Sequence, residues 1–188
     1  MPLLTEVARL ALQKEAESYS YIPETGQVGT GDRVVRKQYI SFAAFPESSL
    51  YVQLAQAFQA LMSEQLALVY PYPFATPLKF NSMLLQKYEL GQLGITAHRD
   101  SLRSINWVCI FNIAGRGQFC LCEQRCGRNS REVDSSPGNI IFLRAPGFLG
   151  VQERPFHYVT NIQVTRYSFG LRQRAFSSAG VESIRQSS

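Results

Sequence analysis

Apolar positions along this chain recur with two different periods, and the period changes near residue 79. In the first part they return every three to four residues, the spacing of one helical face. "MPLLTEVARLALQKEAESYSY" offers Thr5 as a cap and Val7, Leu10 and Ala11 as an apolar stripe, which predicts a first helix. "PETGQVGTGD" reads as turns, and "RVVRKQYISFAAF" as a strand or extended arm with Tyr39, Phe42 and Phe45 available for packing. Leu50, Leu54, Ala57, Phe58 and Leu61 then mark a second amphipathic helix. It stops at "PYPFATP", because proline lacks a backbone donor and clashes with the preceding turn.

Beyond that point the runs shorten and alternate. "FNSMLLQKY", "INWVCIFNI", "QFCLCEQ", "NIIFLRA" and "VTRYSFGL" read as strands, separated by turns at "ELGQLG", "AGRG", "SSPG" and "APGFLG". Two helices followed by short strands predict a mainly β fold with some α, an antiparallel sandwich or barrel backed by N-terminal helices. The expected organisation is one domain over 1–176. A helical or extended region covers 1–79, the β core covers 80–176, and 177–188 is a polar tail.

Composition narrows this picture only slightly. At 188 residues the chain can bury a sizeable core, and its net charge of +5 favours anionic partners without identifying one. No apolar run approaches the roughly 20 residues that span a bilayer, so no membrane partner is expected. The N-terminal stretch lacks the basic region and cleavage site of a secretory signal, which makes the cytoplasm the expected compartment. "CLCEQRC" has neither the internal gap nor the second half of a zinc knuckle. Cys120 and Cys122 share a strand face, where they read as small buried hydrophobes.

The chain has only two histidines, and one stands in His98-Arg99-Asp100. On a strand, side chains two apart share a face, so His98 and Asp100 converge. With His157 they make two imidazoles and a carboxylate, a set that holds iron(II) while leaving positions open for cosubstrate and oxygen. The same residues also read as strand-end surface groups and a satisfied core histidine. Arg166 follows His157 by nine residues, with Ser168 on the same strand face. A guanidinium pairs bidentately with a carboxylate and a hydroxyl adds a donor, as the far end of a dicarboxylate requires.

These motifs resemble the iron(II)- and 2-oxoglutarate-dependent dioxygenases, whose fold is a double-stranded β-helix, or jelly roll. "LLQKYELGQLGITAHRD" and "RYSFGLRQR" are most similar to the AlkB-like branch, which closes on Arg-x-Asn-x-Thr-x-Arg. The resemblance implies that His98, Asp100 and His157 are catalytic and bind Fe(II). It implies that Tyr88, Arg166, Ser168 and Gln86 hold 2-oxoglutarate, and that O2 is consumed as succinate forms. Gln86 replaces the branch's asparagine, while Ser168 and Gly170 replace asparagine and threonine. After Asp100, Ser101, Leu102 and Arg103 replace acidic residues that read an alkylated base, which leaves Arg172 without its expected partner. As an AlkB-like demethylase the chain would act on nucleic acid or methylated protein, with Tyr39 and Phe42 stacking on a base. Contacts from Arg33, Arg36 and Lys37 to phosphates would make nucleic-acid binding weak and salt-sensitive. "CIFNIAGRGQFCL" instead resembles prolyl-hydroxylase-like relatives, which implies a hydroxylase of a small molecule or protein side chain. A jelly-roll binding module without catalysis is the third reading.

Overall fold

Two 19-residue strands organise the molecule: β7, Ser104–Cys122, and β10, Phe156–Arg174. The computed structural model describes residues 3–24 and 26–175, so the expected tail at 177–188 lies outside the described residues. The other elements are α1 (Glu6–Glu17), β1 (Ile22–Pro23), β2 (Gly26–Val28), β3 (Val35–Gln38), β4 (Ile40–Phe42) and α2 (Leu50–Ala67). They continue with β5 (Ser82–Tyr88), β6 (Gly94–His98), β8 (Arg131–Val133) and β9 (Ile140–Arg144). β7 and β10 pair antiparallel along their length with register shifts between Thr160 and Ser168, and each serves two sheets. Their halves nearest Phe111 and Phe169 lie between β5 and β9, and β4 and β1 extend the sheet beyond β5. Their other halves lie between β6 and β8, and β3 and β2 extend the sheet beyond β6. This is the jelly roll with helical backing that the sequence predicts.

Strand alternation sorts the side chains. Cys109, Phe111 and Ile113 of β7, with Tyr167, Phe169 and Leu171 of β10, face the helices and pack with Leu12, Ala16, Tyr51 and Phe58. Val108 and Ile110 point the other way, into a second core between the sheets with Tyr88, Phe119 and Val159. A side chain two residues on returns to the same face, so Arg166, Ser168 and Arg172 all look into the space between the sheets.

Several sequence expectations need correction. In α1 the stripe Val7, Leu10 and Ala11 faces solvent, while Leu12 and Ala16 are buried. The helix is held by polar ties that its apolar spacing did not show: Arg9 donates to the Ile113 carbonyl, and Glu15 accepts from Ser49 Oγ and the Leu50 amide at the start of α2. In α2, Leu50, Leu54 and Phe58 pack as predicted, but Ala57 and Leu61 are exposed because the buried face runs through Tyr51, Phe58 and Leu66. "AGRG" does not end a strand. β7 runs through it, bending at Gly115, whose φ of 85° puts its backbone close to the Thr165 carbonyl. The arm at 33–45 divides into β3 and β4, which join opposite sheets.

Candidate active site

His98 ends β6 and stands directly opposite His157 near the start of β10. The two rings lie 4.3 Å apart between centroids, and Phe119 stacks on His157 at 5.6 Å. Each imidazole meets a backbone carbonyl two residues back: His98 Nδ1 is 2.9 Å from the Thr96 oxygen and His157 Nδ1 is 3.3 Å from the Pro155 oxygen. A carbonyl only accepts, so both neutral rings carry hydrogen on Nδ1 and leave the Nε2 lone pair bare. Burial disfavours the charged forms. It pushes His98 down to about 4, helped by the neighbouring imidazole, and it also lowers His157.

Asp100 lies two residues beyond the end of β6 rather than on it. Burial works to raise its carboxyl, but Arg172 and the two imidazoles outweigh that and hold it below the ordinary carboxylate range. One oxygen is 3.3 Å from Arg172 Nε and the other is 3.6 Å from His157 Nε2. A bare nitrogen and a carboxylate facing each other in a buried cleft are stable only with a proton or cation between them. Arg154 donates to the Asp100 backbone carbonyl and fixes the loop. Among the described residues no three His, Cys, Asp or Glu side chains are arranged as a closed set of metal donors. The donor types nonetheless fit a divalent transition metal, and all three side chains line one cavity of about 400 Å³.

The far wall of that cavity is set by strand register. β10 pairs with β5 so that Arg166 stands opposite Tyr88 and Ser168 opposite Gln86, which brings all four to one face. Arg166 is 2% exposed. Its side chain donates to Asn112 Oδ1 and its guanidinium lies 5.6 Å from the centroid of the Tyr88 ring, but among the described residues no carboxylate pairs with it. Burial lowers its hold on the proton and raises that of the Tyr88 hydroxyl. A buried cation without a counter-ion calls for an anion from outside.

The structure corrects three expectations around this site. Arg172 is not left without a partner, since it turns back onto Asp100 itself. Gly170 makes the room, because a Cβ there would stand 2.6 Å from Arg172 Nη1. Phe42 is not available to stack on a base; it stacks on Tyr19 at 3.9 Å in the helix-facing core. Tyr39 is 8% exposed and packs on Tyr88 in the cavity wall, while Lys37 is paired with Glu24. Sequence reasoning passed over Asn112 as a partner of Arg166. Its signal was the register, since Asn112 pairs with Ser168 across β7 and β10. Cys120 and Cys122 are buried free thiols, as expected; Cys109 is also buried and Cys126 is exposed. Among the described residues no helix is long and apolar enough to cross a membrane.

No family model and no curated protein matches the chain. Solved structures do. A Trichoplax adhaerens prolyl hydroxylase, in complex with a peptide fragment of the hypoxia inducible factor oxygen degradation domain, is similar with a TM-score of 0.64 at 13% identity, over 92% of this chain and 80% of that one. A Pseudomonas putida prolyl-4-hydroxylase is similar with a TM-score of 0.61 at 12% identity, over 92% and 89%. A 2OG-Fe(II) oxygenase family oxidoreductase from Burkholderia pseudomallei has a TM-score of 0.55 at 16% identity, over 90% and 81%. The chain therefore shares its jelly-roll fold with these prolyl hydroxylases and this 2OG-Fe(II) oxygenase.

Proposed function

We propose that the protein is an iron(II)- and 2-oxoglutarate-dependent oxygenase that hydroxylates a protein side chain or a small molecule. One observation carries the reading: a single cavity holds two imidazoles with bare Nε2 atoms beside a carboxylate and, on its opposite wall, a buried arginine without a counter-ion. His98, Asp100 and His157 would hold the metal, with each ring oriented through its Nδ1 contact. Arg166 would take the distal carboxylate of 2-oxoglutarate, with Tyr88 and Ser168 beside it and Gln86 at the edge. Iron with 2-oxoglutarate and O2 supplies the oxidising power to functionalise a C–H bond, and succinate and carbon dioxide leave. The chain's own task is to place that bond and to keep the cavity closed to competing reactions.

The AlkB-like reading, a demethylase of nucleic acid or methylated protein, rests on the sequence pattern. The structural relatives fit a hydroxylase better, and so does Arg172, which is held on Asp100 and is not free for a base-reading acidic pair. Purified protein with iron(II), ascorbate and 2-oxoglutarate should release succinate above background in the presence of some peptide or small molecule. That substrate should gain one oxygen atom traceable to labelled O2. His98→Ala should abolish stoichiometric metal binding in a folded protein. Release of formaldehyde from methylated oligonucleotides, with no hydroxylated product from any peptide or small molecule, would overturn the reading.

A further inference from the structure

Arg99, between His98 and Asp100, belongs to a second cavity as well as the first. This neighbour has a volume of about 430 Å³, and its walls include Arg131, Arg144, Arg154 and Phe156. Two of the four arginines are occupied: Arg144 pairs with Glu153 at 2.8 Å, and Arg154 donates to the Asp100 carbonyl. Arg99 and Arg131 have no carboxylate partner among the described residues. The Arg99 guanidinium carbon lies over the Phe156 ring, 4.0 Å from its centroid, which holds the group in place with its donors unspent.

We propose that this arginine-lined cavity binds an acidic side chain of a peptide substrate, one that lies beside the residue to be hydroxylated. The proposal rests on the oxygenase reading for its reaction and on the second cavity for its specificity. Arg99 lines both cavities; on this proposal the reacting side chain of a bound chain sits in the first and a neighbouring acidic side chain in the second. A guanidinium without a partner meets a carboxylate in two parallel hydrogen bonds, and stacking on Phe156 reduces the freedom lost when it does so.

A peptide fits better than a nucleic acid for three reasons. Phosphate-backbone binding draws on many cations, roughly six to ten contacts, whereas here two, Arg99 and Arg131, have neither a carboxylate nor a carbonyl partner among the described residues. Glu123 and Glu153 also line the cavity and would repel a continuous row of phosphates while tolerating a single carboxylate. Phe156, the only aromatic residue among the lining, is taken by Arg99 and by Arg125 at 5.4 Å, so no free ring is offered to a base.

The test uses short fluorescent peptides with a central proline flanked by glutamates, by glutamines or by lysines. Their binding to the full chain is measured by anisotropy at low salt without metal or 2-oxoglutarate. The glutamate peptide should bind about tenfold more tightly than the glutamine peptide, the gain of one charge-assisted pair. Arg131→Gln should remove most of that preference, and Arg131→Glu should turn it towards the lysine peptide. Glu153→Gln, which frees Arg144, should strengthen glutamate binding. Equal binding of the glutamate and glutamine peptides, or indifference to Arg131→Gln, would sink the proposal. So would a single-stranded oligonucleotide that displaces the glutamate peptide at lower concentration through the same arginines. Because binding is read without cofactors, a preserved glutamate preference with no succinate from any peptide would remove the oxygenase reaction and leave the acidic subsite in place.

Discussion

Arg166 separates a ligand-binding role from a structural one at the scale of a single side chain. An arginine that stabilises a fold through a buried ion pair costs several kcal/mol when removed, because its partner is left charged and alone. Among the described residues Arg166 has no such partner, only the Asn112 amide oxygen and the face of Tyr88. Arg166→Leu should therefore leave the ligand-free melting temperature unchanged or raise it. The same change should weaken 2-oxoglutarate binding by about a hundredfold or more, the loss of roughly 3 kcal/mol expected for one side of a desolvated charge pair. Calorimetric titration of the manganese-loaded protein with 2-oxoglutarate, beside a thermal melt, reads both effects. A strongly destabilised variant with full affinity would make Arg166 structural. This residue was legible in the sequence because it follows the last histidine at a strand spacing. The turn of Arg172 onto Asp100 was not, since it joins β10 to a loop some seventy residues earlier, a contact that no local pattern connects.

Among the elements, the long strands and α1 show where hydrophobic pattern suffices and where it fails. Alternation identified β5, β9, both halves of β7 and the second half of β10, where hydrophobic positions alternate with the core they face. It could not show that β7 continues through "AGRG", where glycine serves a bend within a strand rather than a turn between two. At Gly115 a Cβ would stand 2.0 Å from the Thr165 backbone oxygen, and φ is 85°. Neither condition can be relieved by rotating a side chain. Gly115→Ala should cost about 2–4 kcal/mol, seen as a lower midpoint in urea with an unchanged slope; a loss below about 0.5 kcal/mol would mean the strands separate there at little cost. Helical spacing chose the wrong face of α1 because that helix is docked by polar groups: Glu15 takes the Leu50 amide and the Ser49 hydroxyl and so caps α2 from outside. Glu15→Ala removes an acceptor from a helix start and should destabilise the protein by about 1–2 kcal/mol. Val7→Ser on the exposed face should change stability by less than about 0.5 kcal/mol, and the ordering of these two variants in one denaturation series tests which face carries the helix.

For the whole molecule, the cavity lies between two sheets that share β7 and β10, so occupying it should be felt by the entire fold. β10 alone supplies His157, Arg166, Ser168 and Arg172, and their partners arrive from β5, β6 and the loop after it. Ligands that bind only the folded form stabilise it by mass action, about 2.7 kcal/mol at a hundred times the dissociation constant. For a domain of this size each kcal/mol moves the midpoint by roughly 2–4 °C, so manganese at that excess should raise it by about 5–10 °C, and 2-oxoglutarate added after it should raise it by about as much again. The order of addition matters. With metal absent, Nε2 of His157 faces the Asp100 carboxylate at 3.6 Å, and that carboxylate repels the near end of an added dicarboxylate. 2-Oxoglutarate alone should then shift the midpoint less than it does after manganese. His98→Ala should lose the metal shift and most of the 2-oxoglutarate shift with it. Arg166→Leu should keep the metal shift and lose the cosubstrate's, so the pair of melts assigns the two ends of the cavity separately. Equal cosubstrate shifts in wild type and both variants would place 2-oxoglutarate outside this cavity, whatever the fold resembles.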